Sequence, residues 1–305
     1  MTASGVEPVV ARACAELLAV GAAASRRLKL GTRSAVYRVA LADQRQVVVK
    51  VFASTARRNA MTEARVIGAA ALFVPVPAVL GAGPVPGHSA TALVTADLGE
   101  LTLDAAVETG RISRRQELDH LGELLRRFHQ IPIGQAQVAA RPLAEHVSWL
   151  ARHCPSALLN RIEPALQVLA TASAGATGLI LGHGDLHSQN VIFSESHLGL
   201  GQGHVIDFVH TAPCIREFDV AQTLTLAGAV EADEREEITE AYGHPLNAQV
   251  VDAAVAFHTT RCWVTAGRDG DEAGRAEWGM RLRCATERTP YLFRRPALNE
   301  EGSRR

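Results

Sequence analysis

No CxxC pair occurs in this chain. Its five cysteines, Cys14, Cys154, Cys214, Cys262 and Cys284, are odd in number and far apart. That spacing excludes a zinc ribbon and a disulfide framework and points to a reducing, cytoplasmic setting. No uninterrupted apolar run reaches the roughly 18 residues that a membrane span needs. A long basic tract is also missing: 31 Lys and Arg stand against 32 Asp and Glu, a net charge of −1. Nucleic acid is therefore excluded as the main partner. The N-terminal stretch begins without Lys or Arg and carries Glu7 and Glu16, so it does not read as a secretory signal. No internal repeat is visible. What is present is ordinary for a globular protein: 305 residues, 47% hydrophobic and 21% charged. Such a chain can bury a core without a metal or disulfide staple, and its length suggests about two domains or lobes.

The pattern changes near residue 97. Before it lie short β-rich runs. Ser34–Leu41 and Gln46–Phe52 flank the polar turn Ala42-Asp43-Gln44-Arg45 and read as a hairpin. Residues 56–71 carry a helical stripe at Ala60, Ala64, Ile67 and Ala71. Residues 74–87 are punctuated by Pro and Gly and read as a loop, leading into a strand at 91–98. After that the chain is mostly helical. Residues 114–130 place Leu118, Leu121, Leu125 and Phe128 on one face. Residues 143–171 read as helical with a start or kink at Pro164. Helices are expected at 216–230, 233–242, 248–266 and 272–288. Two apolar runs, 179–193 and 203–208, interrupt them as strand–loop pieces. This predicts an α+β protein with residues 1–97 as one lobe and 98–305 as the other.

The residues with the most chemistry stand in His183-Gly184-Asp185-Leu186-His187-Ser188-Gln189-Asn190, followed by Ile206-Asp207-Phe208. An Asp and an Asn five apart, on a loop between apolar runs, can present two different oxygens to one cleft. Asp185 can accept a proton from a hydroxyl. The Asn190 carbonyl can ligate a cation, and Asp207, 17 residues on and leaving another strand, can ligate the same one. This is the layout of phosphoryl transfer. A rival reading takes His183, Asp185 and His187 as hydrolase metal ligands, but no second His/Asp cluster of comparable spacing follows. The plain alternative is a turn, since Gly, Asp, Ser and Asn favour turns.

Lys50 lies inside Val47-Val48-Val49-Lys50-Val51-Phe52. An ammonium in an apolar strand is costly unless it is paired or faces a ligand. Glu63, on the next helix beside its apolar stripe, is the candidate partner, and such a pair holds the amine over nucleotide phosphates. The alternatives are a Lys snorkelling from an edge strand and a solvated Glu. Gly31, Ser34 and Ala35 are small residues that let backbone N–H groups approach phosphate, although there is no GxGxxG.

With these residues in view, the chain resembles the aminoglycoside phosphotransferase family, also called choline-kinase-like or antibiotic kinases, a branch of the protein-kinase-like fold. The resemblance runs from about Leu28 to Trp263 and rests on LGHGDLHSQNVIF, VIDF and the following FDVA. It implies two lobes and ATP and Mg2+ as cofactors, with GTP open beside ATP. It implies Asp185 as catalytic base, Asn190 and Asp207 as metal ligands, and Lys50 on the phosphates with Glu63 behind it. His183 would brace the catalytic loop. Backbone groups near Val94 and Ala96, in the linker after the last strand, would meet the adenine edge. Asp219 would be a helix N-cap or a loop brace. Two departures stand out. Ser188-Gln189 replaces the Pro and Gly of many members, and Val209–Glu217 lacks the usual Gly-Asp-Pro.

The acceptor implied is a small molecule with a hydroxyl group. It would be an antibiotic that is inactivated, or an amino alcohol, sugar or homoserine-like metabolite. A cationic acceptor needs carboxylates. Candidates are Asp269, Asp271 and Glu272, which the Gly-rich segment 267–274 would present on a loop, with His187 in the catalytic loop itself. The acidic stretch Glu231–Glu240 reads instead as a solvated helix face with its N-terminus favouring negative charge. A protein kinase is disfavoured because no Ala-Pro-Glu segment follows Asp207. A non-catalytic nucleotide-binding module remains as a third reading. The assembly expected is a monomer or homodimer, with no membrane partner.

Overall fold

A computed structural model describes residues 6–30, 34–53, 60–140, 142–196 and 199–294 of the chain. The described residues form two compact units. The first comprises the described residues within Met1–Glu117, Arg127–Val138 and Asp185–Thr211; the second comprises those within Leu118–Arg126, Ala139–Gly184 and Ala212–Arg305.

The first unit is built on an antiparallel five-stranded sheet of order β1-β2-β3-β5-β4. Its strands are β1 (Ala22–Leu30), β2 (Ser34–Leu41), β3 (Gln46–Ala53), β4 (Val79–Pro84) and β5 (Ala90–Ala96). The period of two along β3 sends Val47 and Val49 to one face, where they meet Val10, Ala13 and Cys14 of α1 (Pro8–Leu18) together with Val39 and Val94. Lys50 points the other way, towards α2 (Ala60–Ala70). One strand thus contributes to an apolar core on one side and a polar site on the other. The unit also holds two short helices, α3 (Leu103–Glu108) and α5 (Ile133–Ala136), and a hairpin of β7 (Val191–Ser196) and β8 (Gly199–Val205). The chain leaving β5 joins this hairpin: the N–H of Phe193 donates to Leu101 O at 2.8 Å, and Thr102 bridges to Ile192.

The second unit is helical. It contains α6 (Leu143–His153), α7 (Ser156–Arg161), α8 (Glu163–Ala174), α9 (Arg216–Leu226), α10 (Ala232–Tyr242), α11 (Ala248–Arg268) and α12 (Glu272–Arg288). A short pair of strands, β6 (Ile180–Gly182) and β9 (Ala212–Cys214), accompanies them. The 21-residue α11 is largely buried and packs against α8, α9 and α12. Between the units in sequence runs α4 (Arg114–Phe128), whose Leu118, Leu121, Leu125 and Phe128 are all buried, as the periodicity predicts. No described helix is long and apolar enough to cross a membrane, and all five cysteines are free.

The α+β class stands, with three local corrections. Residues 74–87 are not a plain loop, because β4 lies inside them. Its glycines serve packing: a Cβ on Gly81 would lie 3.0 Å from Leu17 Cβ and 3.1 Å from Leu17 O, so only glycine lets α1 approach this closely. Residues 143–171 are helical with a helix start at Pro164, in the first turn of α8, where a missing N–H costs nothing; the correction is a further break at Cys154–Pro155, which makes three helices. The segment 267–274 is not an open loop. Gly267 and Arg268 end α11, Glu272 begins α12, and only Asp269–Asp271 connect them.

Candidate active site

Lys50 is 9% exposed and Glu63 4%. The Lys50 ammonium donates to Glu63 Oε1 at 2.9 Å and to Asp207 Oδ1 at 2.8 Å. Three residues from a strand, a helix and the end of a hairpin thus meet in one cluster of the first unit. Burial alone would pull the Lys50 pKa down. The two carboxylates outweigh it, so the amine is held above its ordinary value and stays charged. Burial pushes the Glu63 carboxyl up; Lys50 opposes this and the nearby negative Asp207 adds to it. Two carboxylates share a single ammonium, and burial leaves Glu63 holding its charge less easily than an ordinary carboxylate. The Phe208 backbone N–H also serves the Glu63 carboxylate.

Asp207 occupies the left-handed region, φ 62 and ψ 69. For a residue other than glycine this conformation is uncommon and costs of order 1–3 kcal/mol unless its surroundings enforce it. Here the following residue enforces it. Phe208 is 1% exposed and stacks on Phe128 at a centroid distance of 6.0 Å. With Phe208 fixed, the sharp backbone turn directs the Asp207 carboxylate to Lys50.

The second cluster is the turn Asp185–Asn190. It ends in a short 3-10 turn, Ser188–Asn190, that leads into β7. The Asn190 side-chain Nδ2 donates to the Asp185 carbonyl at 2.8 Å and to Asp185 Oδ2 at 3.3 Å, and lies 3.1 Å from His187 Nε2. With its amide nitrogen committed to Asp185, the Asn190 carbonyl oxygen faces the other way. The β7–β8 ladder ends on this turn: Val191 pairs with Val205, and the Ile206 N–H donates to Asn190 O at 3.0 Å. Asn190 and Asp207 therefore stand at the same end of one hairpin, one rung apart.

The residues before Asp185 belong to the second unit, where α9 holds them. Asp219 accepts the His183 N–H at 2.8 Å and the Gly184 N–H at 2.7 Å, while Gln222 donates to Gly184 O. Gly182 must be glycine: a Cβ there would lie 2.4 Å from Cys214 Sγ and 3.0 Å from Asp219 Cγ. Asp219 is thus a loop brace inside the first turn of α9. The N-cap position belongs to Ile215.

The remaining sequence-derived residues fall as follows. Ser34 begins β2 opposite Phe52, and Gly31 lies outside the described residues. Val94 is buried within β5, between β3 and β4. Ala96 forms the last rung of the β3–β5 ladder, and its N–H donates to Ala78 O at 2.9 Å. Asp269, Asp271 and Glu272 are exposed in the second unit, and the Asp271 side chain caps α12 by accepting the Gly274 N–H at 2.9 Å.

Two networks escaped the sequence reading. Arg38 of β2 grips the segment after β5: its Nε is 2.6 Å from Asp97 Oδ2, and its Nη2 donates to Asp97 Oδ1 at 2.9 Å and to Gly99 O at 2.7 Å. Glu100 joins Arg38 and Arg26. The other network links Ser188 to Glu117 of α4. A charged residue within a strand was the available signal for Arg38, as it was for Lys50.

The cofactor fit can be tested on donor chemistry. Asn190 and Asp207 offer an amide and a carboxylate oxygen, which suit a hard divalent cation. Among the described residues, no group of three or more His, Cys, Asp or Glu could hold a metal. A cation at Asn190 and Asp207 must then take its other ligands from water and phosphate, as Mg2+ with a nucleotide does.

The sequence pattern of the phosphotransferase enzyme family (APH) matches residues 25–255, about three quarters of the chain. The chain belongs to this family. A search of curated proteins finds no match. Among solved structures, this phosphotransferase superposes on a wild-type aminoglycoside 2'-phosphotransferase-IIIa in its GDP complex. The TM-score is 0.63 at 15% identity, over 91% of this chain and 97% of that one. The amicoumacin kinase hAmiN, in complex with AMP-PNP, Ca2+ and Ami, gives a TM-score of 0.64 at 13% identity, over 86% and 88%. A choline/ethanolamine kinase family protein from Mesorhizobium loti gives 0.60 at 18%, over 88% and 89%. At these identities the likeness is one of fold, and it makes the phosphotransferase kinase-like.

Proposed function

We propose that the protein is an ATP-dependent kinase that moves the γ-phosphoryl group to a hydroxyl of a small molecule, and that this acceptor is an antibiotic. The observation that carries the reading is the convergence of Lys50, Glu63 and Asp207 in one ion-paired cluster, with the Asp185–Asn190 turn on the same hairpin. Asp185 takes the proton of the acceptor hydroxyl as its oxygen bonds to phosphorus and the nucleoside diphosphate leaves. Lys50 carries its charge to the α and β phosphates, and Glu63 keeps it aimed there. Asn190 and Asp207 would hold Mg2+, which neutralises charge on the phosphates when bound. Ser34, at the start of β2, would let backbone N–H groups approach the phosphates. The purine edge would meet the backbone past Ala96, since that residue's N–H is already used in the sheet. The Arg38 clamp fixes this stretch.

Support for an antibiotic acceptor comes from the solved structures, which include kinases of aminoglycosides, amicoumacin and macrolides. The choline/ethanolamine kinase family protein supports an amino alcohol as the second reading. The test is a panel of aminoglycosides, other basic antibiotics, amino alcohols and sugars with ATP·Mg2+, with phosphorylated product read by mass spectrometry. One acceptor class should turn over, and Asp185→Asn should lower kcat by about 10² to 10⁴-fold while still binding nucleotide. An Asp185→Asn protein within a few-fold of wild type would remove the base. A chain that binds ATP and phosphorylates nothing would favour the non-catalytic module.

A further inference from the structure

Glu117 is 4% exposed, and a buried carboxylate needs partners to hold its charge. It has two. Arg114 Nη1 donates to Oε2 at 2.8 Å, and the Ser188 hydroxyl donates to Oε1. Its place in the first turn of α4 adds the favourable end of the helix dipole. Ser188 is itself 5% exposed, so neither group is a solvated surface residue that happens to lie near the other. They are 71 positions apart in sequence. The contact joins α4 to the 3-10 turn whose last residue is Asn190.

Ile206 also meets the turn from outside, its N–H donating to Asn190 O at 3.0 Å. Gln189 reaches Asp104 of α3 at 3.2 Å, but this contact is exposed. Within the turn, the Asn190 amide is bonded to Asp185 at 2.8 and 3.3 Å. Where the 3-10 turn sits therefore decides two things together: where the Asp185 carboxylate stands, and which way the Asn190 oxygen faces. We propose that Glu117 is a positioning residue, acting through the Ser188 hydroxyl to hold Asp185 and Asn190 in register. The inference rests on the kinase reading of Asp185 and Asn190.

The consequence is separable from general stability. Without the hydroxyl, the 3-10 turn loses its tie to α4, and Asp185 and Asn190 lose their shared register. The Mg2+-dependent part of nucleotide affinity should then weaken, while the part due to Lys50 stays. Calorimetry of ATP binding with and without Mg2+ reads this directly, and kcat and KM for ATP·Mg2+ hydrolysis read it a second way. In Ser188→Ala the gain in affinity that Mg2+ gives should shrink about tenfold, and kcat should fall about ten- to thirtyfold, with Mg2+-free ATP binding unchanged. Ser188→Thr keeps the hydroxyl and should restore both. Gln189→Ala removes only the exposed contact and should behave as wild type.

If Ser188→Ala does not fold, Glu117→Gln takes its place. It is isosteric but weakens both bonds, so the Mg2+-dependent gain should shrink there too, with Mg2+-free binding intact. Wild-type Mg2+ dependence and kcat in the folded variant would overturn the proposal, as would equal loss in Ser188→Thr and Ser188→Ala. A wild-type chain that binds no ATP·Mg2+ at all would instead overturn the kinase reading, and this inference with it.

Discussion

Both units bury polar groups, but they satisfy them differently. In the first unit, side chain meets side chain: Lys50 with Glu63 and with the distant Asp207, and Glu117 with Arg114 one turn back and with the hydroxyl of the distant Ser188. In the second unit the buried polar groups lean on backbone. Asp219 takes two amide N–H groups, His258 donates from Nε2 to Phe218 O at 3.0 Å, and Thr225 and Thr260 bond carbonyls one turn back in their own helices. A backbone partner fixes geometry and nothing more. An ion pair with unequal charge, two carboxylates to one ammonium, leaves an electrostatic demand that a ligand can enter. On the proposed function, the chemistry lies where side chains answer one another, and the scaffold lies where side chains answer the main chain.

The largest effect should come from breaking the first arrangement. Lys50→Met leaves Glu63 buried without its cation, and removing one partner of a buried pair costs about 3–5 kcal/mol. Adding Glu63→Leu should return most of that stability, because two apolar groups replace two charged ones. It should return none of the phosphoryl transfer. Urea unfolding of the single and double variants, beside turnover, checks this. A double variant no more stable than Lys50→Met would mean that the pair is part of the scaffold after all, and the contrast between the units would fail.

The same contrast explains which parts were legible in the sequence. Lys50 stood out because a run of valines makes an ammonium conspicuous, and the 183–190 segment because few uses other than phosphoryl transfer need that order of residues. Periodicity gave α4 and the C-terminal helices, whose buried faces repeat. It could not give β1, an edge strand whose Ser25, Arg26 and Arg27 interrupt any apolar alternation. Nor could it give β4, the other edge, where Gly and Pro are tolerated and read as a loop. The Glu117–Ser188 brace was hidden for a different reason. Its partners are ordinary residues, and only the packing of α4 onto the turn brings them together.

The next effect tests the scaffold side. Burial holds the His258 pKa well below the ordinary value, with Arg261 and His146 pushing the same way and the Phe218 carbonyl opposing. A depressed histidine binds its proton in the unfolded chain first. Stability is therefore unaffected above about pH 6.5 and falls as pH drops below it, at up to about 1.4 kcal/mol per unit until the folded value is reached. Between pH 7.5 and 5.5 the wild type should lose about 1 kcal/mol more than His258→Gln, since the remaining histidines cancel in the difference. Denaturant titrations at the two pH values measure it. Equal losses would show that His258 titrates normally, and the neutral, backbone-tied core of the second unit would need revision.

The smallest effect sharpens the comparison at the surface of the second unit. Asp269, Asp271 and Glu272 are candidates to attract a cationic acceptor, yet the Asp271 carboxylate already has an architectural duty at the Gly274 N–H. Charge and cap can be separated by chemistry. Asn caps a helix about as well as Asp, whereas Ala costs about 1 kcal/mol at this position. Asp271→Asn combined with Asp269→Asn and Glu272→Gln thus removes three charges and keeps the cap; Asp271→Ala removes one charge and the cap. If the carboxylates serve the acceptor, the triple variant should raise the acceptor KM a few-fold, and added salt should have a similar effect on wild type by shortening the Debye length towards 8 Å at about 0.15 M. Asp271→Ala should then lower the melting temperature more than it raises KM. If the segment is scaffold only, the triple variant and salt should leave KM unchanged while Asp271→Ala still loses stability. Its acidic residues would then join Asp219 among the groups that hold the main chain, and a neutral acceptor such as a sugar would be favoured.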